Sequence, residues 1–562
     1  QSEGFDDPQS ESSRAAAIVA EKFPGSADLV FVADAHRSVD DARADGMALT
    51  DDIANTPGVE SVASYWSTGM PALKSDDGTK AILAVSVDRD DDAAVTDLIE
   101  KFRGSVDGFD IAAGGFEGVH HDVSAQIGGD LVRAEMIAIP LMLALLGLAF
   151  GSVVAALLPL AIGVFAIFGT FAELSILGST TDVSIYAVNL TTSLGLGLAI
   201  DYALLTVSRF REEYAKRGDV GEAVVRTIET AGKTIVFSSS AVAAALAVLT
   251  VFPMYFLRSF AYAGIGVIAI AMIGALVVLP ALLTVLGPRV NAGKLPWAKS
   301  MPSTVVPFWG ELARRVMRRP VAMALPVLAL LAVLALPLLK VDFGMPDDRV
   351  LPSTASSRQA GDALRDDFTA DDTSAFDIVS DGPLNDVPGY ASELSRLPGV
   401  ERVDTSAGTF VGGTEVASSP LDMRFAAADS QRLAVVTALD PRSQEAKDLL
   451  ATVRSADVDG SVLVGGETAE FVDSQHAIAD RLPLAIALIV ATTFVLLFLF
   501  TGSVLQPIRA LLLNAIGLSA TIGILVLIFQ EGWLSGVLGF TPLPLDTSML
   551  VLMFCVTFGL SM

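Results

Sequence analysis

The stretch GLGLAIDYALLTVSRF, residues 195–210, decides how the chain is read. It is apolar almost throughout, yet Asp201 and Tyr202 stand in its middle. Arg209, eight residues further on, marks a water-facing edge. Eight residues of helix rise about 12 Å, at ~1.5 Å each. Half a hydrocarbon core is about 15 Å, so Asp201 falls near the bilayer midplane. A charged aspartate there costs roughly 2.5–3.5 kcal/mol on insertion scales. A carboxyl that gains and loses a proton as water or a partner reaches it is what a proton-coupled carrier requires. The bland alternative is a structural aspartate bonded to backbone or serine. Tyr202 points about 100° away and can donate a hydrogen bond toward a facing helix. Gly195 and Gly197 permit close helix packing.

This is one of eight or nine such runs, at about 136–151, 153–176, 185–207, 234–252, 262–286, 321–339, 483–501, 507–529 and 547–562. Runs of that length read as membrane helices. They fit a chain of 562 residues that is 52 % hydrophobic, with mean hydropathy +0.57. The net charge of −27 is concentrated in two segments. Roughly 26 acids face 9 bases in 1–130, and roughly 26 face 11 in 340–480. Acidity gives no support to nucleic-acid binding. The single cysteine, Cys555, excludes a disulfide framework.

Basic loops mark the cytoplasm. Segment 209–233 carries Arg209, Arg211, Lys216, Arg217, Arg226 and Lys233. Segment 287–319 carries Arg289, Lys294, Lys299, Arg314, Arg315, Arg318 and Arg319. Counting helices from these loops puts both acidic segments outside the plasma membrane. Residues 305–319 read either as an amphipathic helix on the inner surface or as a solvated linker.

The acidic segments resemble each other. In the first, a helix at 10–23, strand 29–34, helix 40–54, strands 59–65 and 80–87, a helix near 91–104 and strand 109–115 suggest a split βαβ domain with helices on one face of a sheet. The second repeats it with strands at 376–381, 400–406, 432–439 and 461–466 and a helix at 443–454. Matched residues indicate duplication. Pro57-Gly58-Val59-Glu60 corresponds to Pro398-Gly399-Val400-Glu401, and Gly114-Gly115 to Gly465-Gly466. Asp122 corresponds to Asp473, and Gly151-Ser152-Val153 to Gly502-Ser503-Val504. The two aspartates read as capping or solvating helices that enter the membrane. Gly197-Leu198 aligns with Gly559-Leu560, so a partner for Asp201 is expected just beyond Met562. Both termini read as cut ends.

The expected domains are an external domain 1–131, a membrane bundle 132–286 (helices 2–6), a basic linker 287–319 and helix seven at 320–339. A second external domain, 340–481, and a second bundle, 482–562 (helices 8–10), follow. The fold class is a polytopic α-helical membrane protein with duplicated bundles and two external α+β domains. Two bundles that rock against each other are common in transporters. No GxxxxGK[ST] loop, Ser-His-Asp spacing or metalloprotease motif stands out, so neither an ATP-driven machine nor a hydrolase is read. His120 and His121 are adjacent and diverge, and His36 and His476 are isolated, which makes poor metal sites. An apolar pocket between external domains would shelter acyl chains.

GLGLAIDYALLTVSRFREE (195–213) resembles the fourth-helix signature of the MmpL (mycobacterial membrane protein large) family, within the RND superfamily. GGFEGVHHDVSAQIGGDL (114–131), FGSVVAALLPL (150–160), TGSVLQPIRALLLNAIGLSATIGILVLIFQEG (501–532) and LDTSMLVLMFCVTFGLSM (545–562) are also similar to that family. The resemblance implies twelve helices in two sixes and porter-like domains after helices one and seven. It implies export of lipids or glycolipids, mycolate-type cell-envelope components among them, across the actinobacterial plasma membrane. The proton motive force would drive this, with no cofactor and no enzymatic activity. Asp201 and Tyr202 carry over as one of two relay pairs. Ser238, with Ser239 and Ser240 leaving its register open, joins Leu198 and Leu205 as lining of the relay channel or of an inhibitor site. The implied partners are a lipid substrate, the membrane and accessory envelope proteins. Two alternatives remain: a drug-efflux pump of the same architecture, and a non-transporting sterol-sensing-type scaffold.

Overall fold

The computed structural model describes residues 4–23, 28–88, 91–179, 181, 183–295, 307–344, 347–368 and 375–560. Two antiparallel sheets stand on one side of a layer of membrane-length helices. The first sheet contains β1 (Leu29–Asp34), β2 (Val59–Ser64), β3 (Lys80–Val87), β4 (Gly104–Val106) and β5 (Phe109–Gly114), in the order β2-β3-β1-β5-β4. A two-residue strand, β6 (Phe343–Gly344), precedes the second sheet. That sheet contains β7 (Phe376–Ser380), β8 (Arg402–Thr405), β9 (Gly408–Val411), β10 (Thr414–Ala417), β11 (Arg432–Val436) and β12 (Val462–Gly465). Its order is β10-β9-β8-β11-β7-β12. Four strands correspond one to one, and their order is the same in both sheets. The additions differ: β4 extends one edge of the first sheet, and the β9–β10 hairpin extends the opposite edge of the second.

Alternation along the strands shows that each sheet is covered on both faces. Leu29, Phe31 and Ala33 of β1 pack with α2 (Arg43–Ala54) and α3 (Asp92–Phe102), following α1 (Glu11–Lys22) in the chain. Val32 of β1 and Ile82 of β3 point the other way. They meet Ala360 and Phe368, which belong to the second acidic segment. In the second sheet, Phe376 and Ile378 face one core, while Val379 and Leu463 face Ala15, Val19 and Phe23 of the first segment.

The long helices follow. They are α4 (Gly115–Phe150), α5 (Val153–Gly178), α6 (Ile185–Arg217), α7 (Val220–Val251, with a π turn at Ile228–Gly232) and α8 (Tyr255–Asn291). After α9 (Pro307–Arg318) come α10 (Pro320–Lys340), then α11 (Ser356–Asp367), α12 (Val387–Leu394) and α13 (Gln444–Ser455) in the second external segment. The chain continues through α14 (Glu467–Thr501), α15 (Leu505–Gln530), β13 (Leu545–Asp546) and α16 (Thr547–Leu560). Eight of these helices are long and apolar enough to cross a membrane, and α16 is a shorter apolar one. Residues 296–306 of the basic linker, with Lys299, and Ser561-Met562 lie outside the described residues.

The two external domains therefore exchange a helix, which corrects the expectation that 10–23 belongs to the first sheet and that helices cover one face only. Helix α1 packs on β12 and β7, and α11 packs on β5 and β1. The matched residues of the duplication explain how. A Cβ at Gly465 would lie 3.1 Å from Ala15 Cβ, and one at Gly114 would lie 2.7 Å from Ala360 Cβ. Both glycines let the borrowed helix approach the sheet. Asp473, on α14, accepts the N–H of Ser12 at 3.0 Å. Asp122, on α4, accepts the N–H and hydroxyl of Ser357 at 2.8 and 2.9 Å. Each aspartate thus satisfies the first turn of the helix borrowed from the other segment, where orphan N–H groups and the helix dipole favour a carboxylate. Arg454 holds Asp473 in place with bonds of 2.8 and 2.9 Å. Asp122→Ala and Asp473→Ala should each cost about 1–2 kcal/mol, as lost N-terminal caps do. Thermal unfolding in detergent should give similar losses for the two.

The segment that leads into the exchange is anchored by charge. Asp347 accepts the Arg349 N–H at 2.8 Å and its Nε at 2.9 Å, and pairs with Arg442 Nη1 at 2.8 Å. Burial opposes ionisation of this carboxyl. The bonds from Arg349 and the charge of Arg442 outweigh that, and hold it below the ordinary aspartate range. A depressed folded-state value means the stabilisation is complete above the unfolded value, about 3.9. It is lost as pH falls through the folded value. Asp347→Asn should destabilise the second domain by about 2 kcal/mol at pH 7. Unfolding curves of variant and parent should draw together as pH falls below the unfolded value and through the folded one.

Candidate functional site

Helix α6 is pinned at its basic end before Asp201 is placed at all. Arg211 donates to Phe150 O and to Asn291 Oδ1, both at 2.8 Å, which ties α6 to the ends of α4 and α8. Buried Glu213 pairs with Arg209 at 3.0 Å and with Arg217 at 3.1 Å. Gly218, at φ +74°, ends the helix. The Gly151-Ser152-Val153 motif completes this floor. Gly151, at φ +62°, closes α4, and Ser152 Oγ donates to Val290 O at 2.9 Å and to Ala292 O at 2.7 Å. Its match, Gly502, closes α14 at φ +65°.

Sixteen residues up from Arg217, Asp201 lies on an exposed stripe of α6 formed by Ser193, Gly197, Asp201, Leu205 and Ser208. Among the described residues its carboxylate has neither a hydrogen bond nor an ion pair, so no structural partner accounts for it. Tyr202 points into the bundle and is 3 % exposed. Ser239 and Ser238 on α7 are the polar neighbours of its hydroxyl. Neither it nor Ser239 Oγ completes a bond of normal geometry. Ser240 turns away and donates to Val236 O at 2.7 Å. The serine pair therefore faces Tyr202 rather than Asp201, and Ser239 stands beside Ser238 in that position. Leu205 shares the stripe of Asp201 and is 44 % exposed, whereas Leu198 is buried in the bundle core. The structure separates these two leucines.

Two features escaped the sequence reading. Glu173 is a lone acid near the sheet-side end of apolar α5. Its carboxyl fills the notch left by Gly266 on α8, and Oε2 is buried without a hydrogen bond. A single acid in 26 otherwise apolar or small residues was the available signal. A cavity of about 600 Å³ also opens at the foot of the first sheet, lined in part by Arg103, Gln126, Arg133, Ser356 and Gln359. Its lining mixes polar and apolar groups.

These observations describe a polytopic helical membrane protein with duplicated external α+β domains and an intramembrane Asp-Tyr pair. The MMPL family model matches residues 4–323 and 351–561, and the chain belongs to that family. It is 36 % identical over 531 residues to the putative membrane protein SCO6666 of Streptomyces coelicolor, covering 92 % of this chain and 71 % of that one. It is 33 % identical over 531 residues to the trehalose monomycolate exporter MmpL3 of Mycolicibacterium smegmatis, covering 87 % and 51 %. The mycolic acid-containing lipids exporter MmpL11 of the same organism is 27 % identical over 441 residues, covering 77 % and 46 %. The chain thus spans about half the length of these two exporters.

Proposed function

We propose that this protein exports a lipid or glycolipid across the plasma membrane, with both sheet domains outside the cell and the proton gradient as the energy source. Asp201 and Tyr202 form one proton-relay pair in this reading. The observation that carries it is a carboxylate halfway along a membrane helix that has no hydrogen bond or ion pair among the described residues, next to a buried tyrosine whose hydroxyl is left without a bond beside two serines. The likeness to the trehalose monomycolate exporter MmpL3 and to the mycolic acid-containing lipids exporter MmpL11 supports the substrate class. Basic residues at the loop ends of α6 and α8, opposite the sheets, support the orientation. The test is gradient-driven lipid movement in proteoliposomes, comparing the natural protein with its Asp201→Asn variant. Equal movement in both, with and without the gradient, would remove Asp201 from the energy pathway. Competition by lipid precursors, or by unrelated hydrophobic drugs, separates a lipid exporter from a drug pump.

A further inference from the structure

The two copies of the duplicated unit fall out of register at one place. Gly502 lies 351 residues after Gly151, and Gly559 lies 362 after Gly197, so the second copy has gained eleven residues in between. Helices α5 and α6 are joined through residues 179–184, whereas α15 and α16 are joined through 531–546. The longer loop holds GWLSGVLGFTPLPL, residues 532–545, without one charged side chain. It is a folded object rather than a slack tether. Trp533 N–H donates to Leu527 O and Leu543 N–H to Phe529 O, both at 3.1 Å. The rings of Phe529 and Phe540 stand 5.3 Å apart. One helical turn, Ser535–Leu538, stops at Gly539, at φ +72°. Gln530 fixes the level of the loop: its Nε2 donates to Lys340 O at 2.8 Å, and its Oε1 accepts the Asp342 N–H at 2.9 Å. Lys340 ends α10, Gln530 ends α15 and Thr547 begins α16. The loop therefore stands where three apolar helices meet the membrane surface on the side of the sheets. Its tip is uncovered: Trp533 is 76 % exposed, Val537 84 % and Leu538 61 %.

We infer that Trp533, Leu534, Val537 and Leu538 form an anchor set into the boundary between headgroups and acyl chains, in the leaflet on the side of the sheets. Three features select lipid as the occupant. The first is continuity: the loop leaves and re-enters helices that lie in the bilayer, so its tip is delivered to that boundary at no cost in translational freedom. The second is composition. Fourteen residues without a charge, with a tryptophan near their start, match the interfacial belt where indole rings settle. In water the same tip is a rigid apolar patch with nothing to shield it. The third is preorganisation: the backbone bonds and the ring contact hold the loop in shape, so little remains to be ordered on insertion. An uncharged anchor does not read headgroup charge, and its seat should be indifferent to lipid charge and to salt. The inference is independent of what the protein carries.

The test uses the full-length natural protein in nanodiscs of zwitterionic lipid, alone or with a third of anionic lipid. Cys555 and any further cysteine are replaced by Ser. A bimane fluorophore is attached at Val537→Cys or, as the reference, at Thr414→Cys on the exposed edge strand β10. Lipids carrying a nitroxide at the top of the acyl chain should quench the label at 537 at least about threefold more than the label at 414. Iodide in the water should do the reverse. The excess at 537 should be the same in both kinds of disc and at high salt. It should fall to the level of 414 when Trp533, Leu534 and Leu538 are all replaced by Ser. These three side chains are exposed, so the folded loop survives for the comparison. Equal lipid quenching at 537 and 414, with iodide reaching both, would mean a loop in water. Shielding of 537 from both quenchers would mean a protein cover, a second copy included. Undiminished quenching in the triple variant would mean nearness to the membrane without insertion. An excess confined to anionic discs would mean attraction by charges elsewhere in the protein. Each of these four results overturns the proposal.

Discussion

Asp201→Asn is expected to reduce gradient-driven lipid movement to the level of protein-free liposomes while leaving the protein folded. Asparagine keeps the size and polarity of the side chain but cannot gain or lose a proton. An ionised carboxylate at this depth costs roughly 2.5–3.5 kcal/mol, and asparagine removes that cost. The variant should therefore melt no earlier than the parent, and activity and stability should part company. A structural aspartate predicts the reverse pattern, with lower melting and partial transport. Tyr202→Phe is a milder companion. It removes one hydroxyl that has no bond to lose in this state, so any transport defect arises when the pair engages a partner.

The second large effect falls far from the membrane interior. Gly466 begins the turn from β12 into α14 at φ +100° and ψ 165°, a region only glycine enters readily. A Cβ there would lie 2.5 Å from Ala375 O and 3.3 Å from Phe376 Cα. Both contacts are backbone and belong to the start of β7, so neither can swing aside. Gly466→Val should cost more than about 3 kcal/mol, the strain and the overlap together. Loss of folded protein on extraction, or a large drop in melting temperature, would register it. Gly412→Ala is the control. It is also left-handed, at φ +56°, but has no atom within 4 Å, so it should cost about 1 kcal/mol. Gly115 repeats the Gly466 geometry, at φ +76° with Asp28 O at 2.9 Å. The paired glycines recognisable in the sequence are thus two copies of one turn.

The membrane helices were legible because twenty apolar residues admit few other readings, and apolar alternation marked β1, β3 and β7. Strands β4, β9 and β10 were missed because they are short. Three of the four residues of β10 are polar or small, and all four are exposed. The helix exchange was illegible for a deeper reason. Two sheets built from one duplicated pattern present equivalent grooves, and an amphipathic helix such as α1 carries no address that distinguishes them. The duplication did reveal Asp122 and Asp473 as a matched pair. It could not reveal that each caps the other segment's helix. At the candidate site, Asp201 and Tyr202 could be read directly, because a carboxylate in an apolar run stands out. Ser238 and Ser239 could not be ranked, because neighbours on a helix differ by only 100°. Glu173 went unnoticed because nothing in sequence announces the notch at Gly266.

The exchanged helices also set a timetable. The first sheet is complete in sequence at Gly114, but α11, which covers Val32 and Ile82, leaves the ribosome about 240 residues later. At ~5–20 residues per second that is a wait of roughly 10–50 s. Helix α1 waits longer still, until β12 has been made. Neither domain can finish folding before most of the membrane helices have been inserted, so the native fold is reached by the two halves closing on each other late.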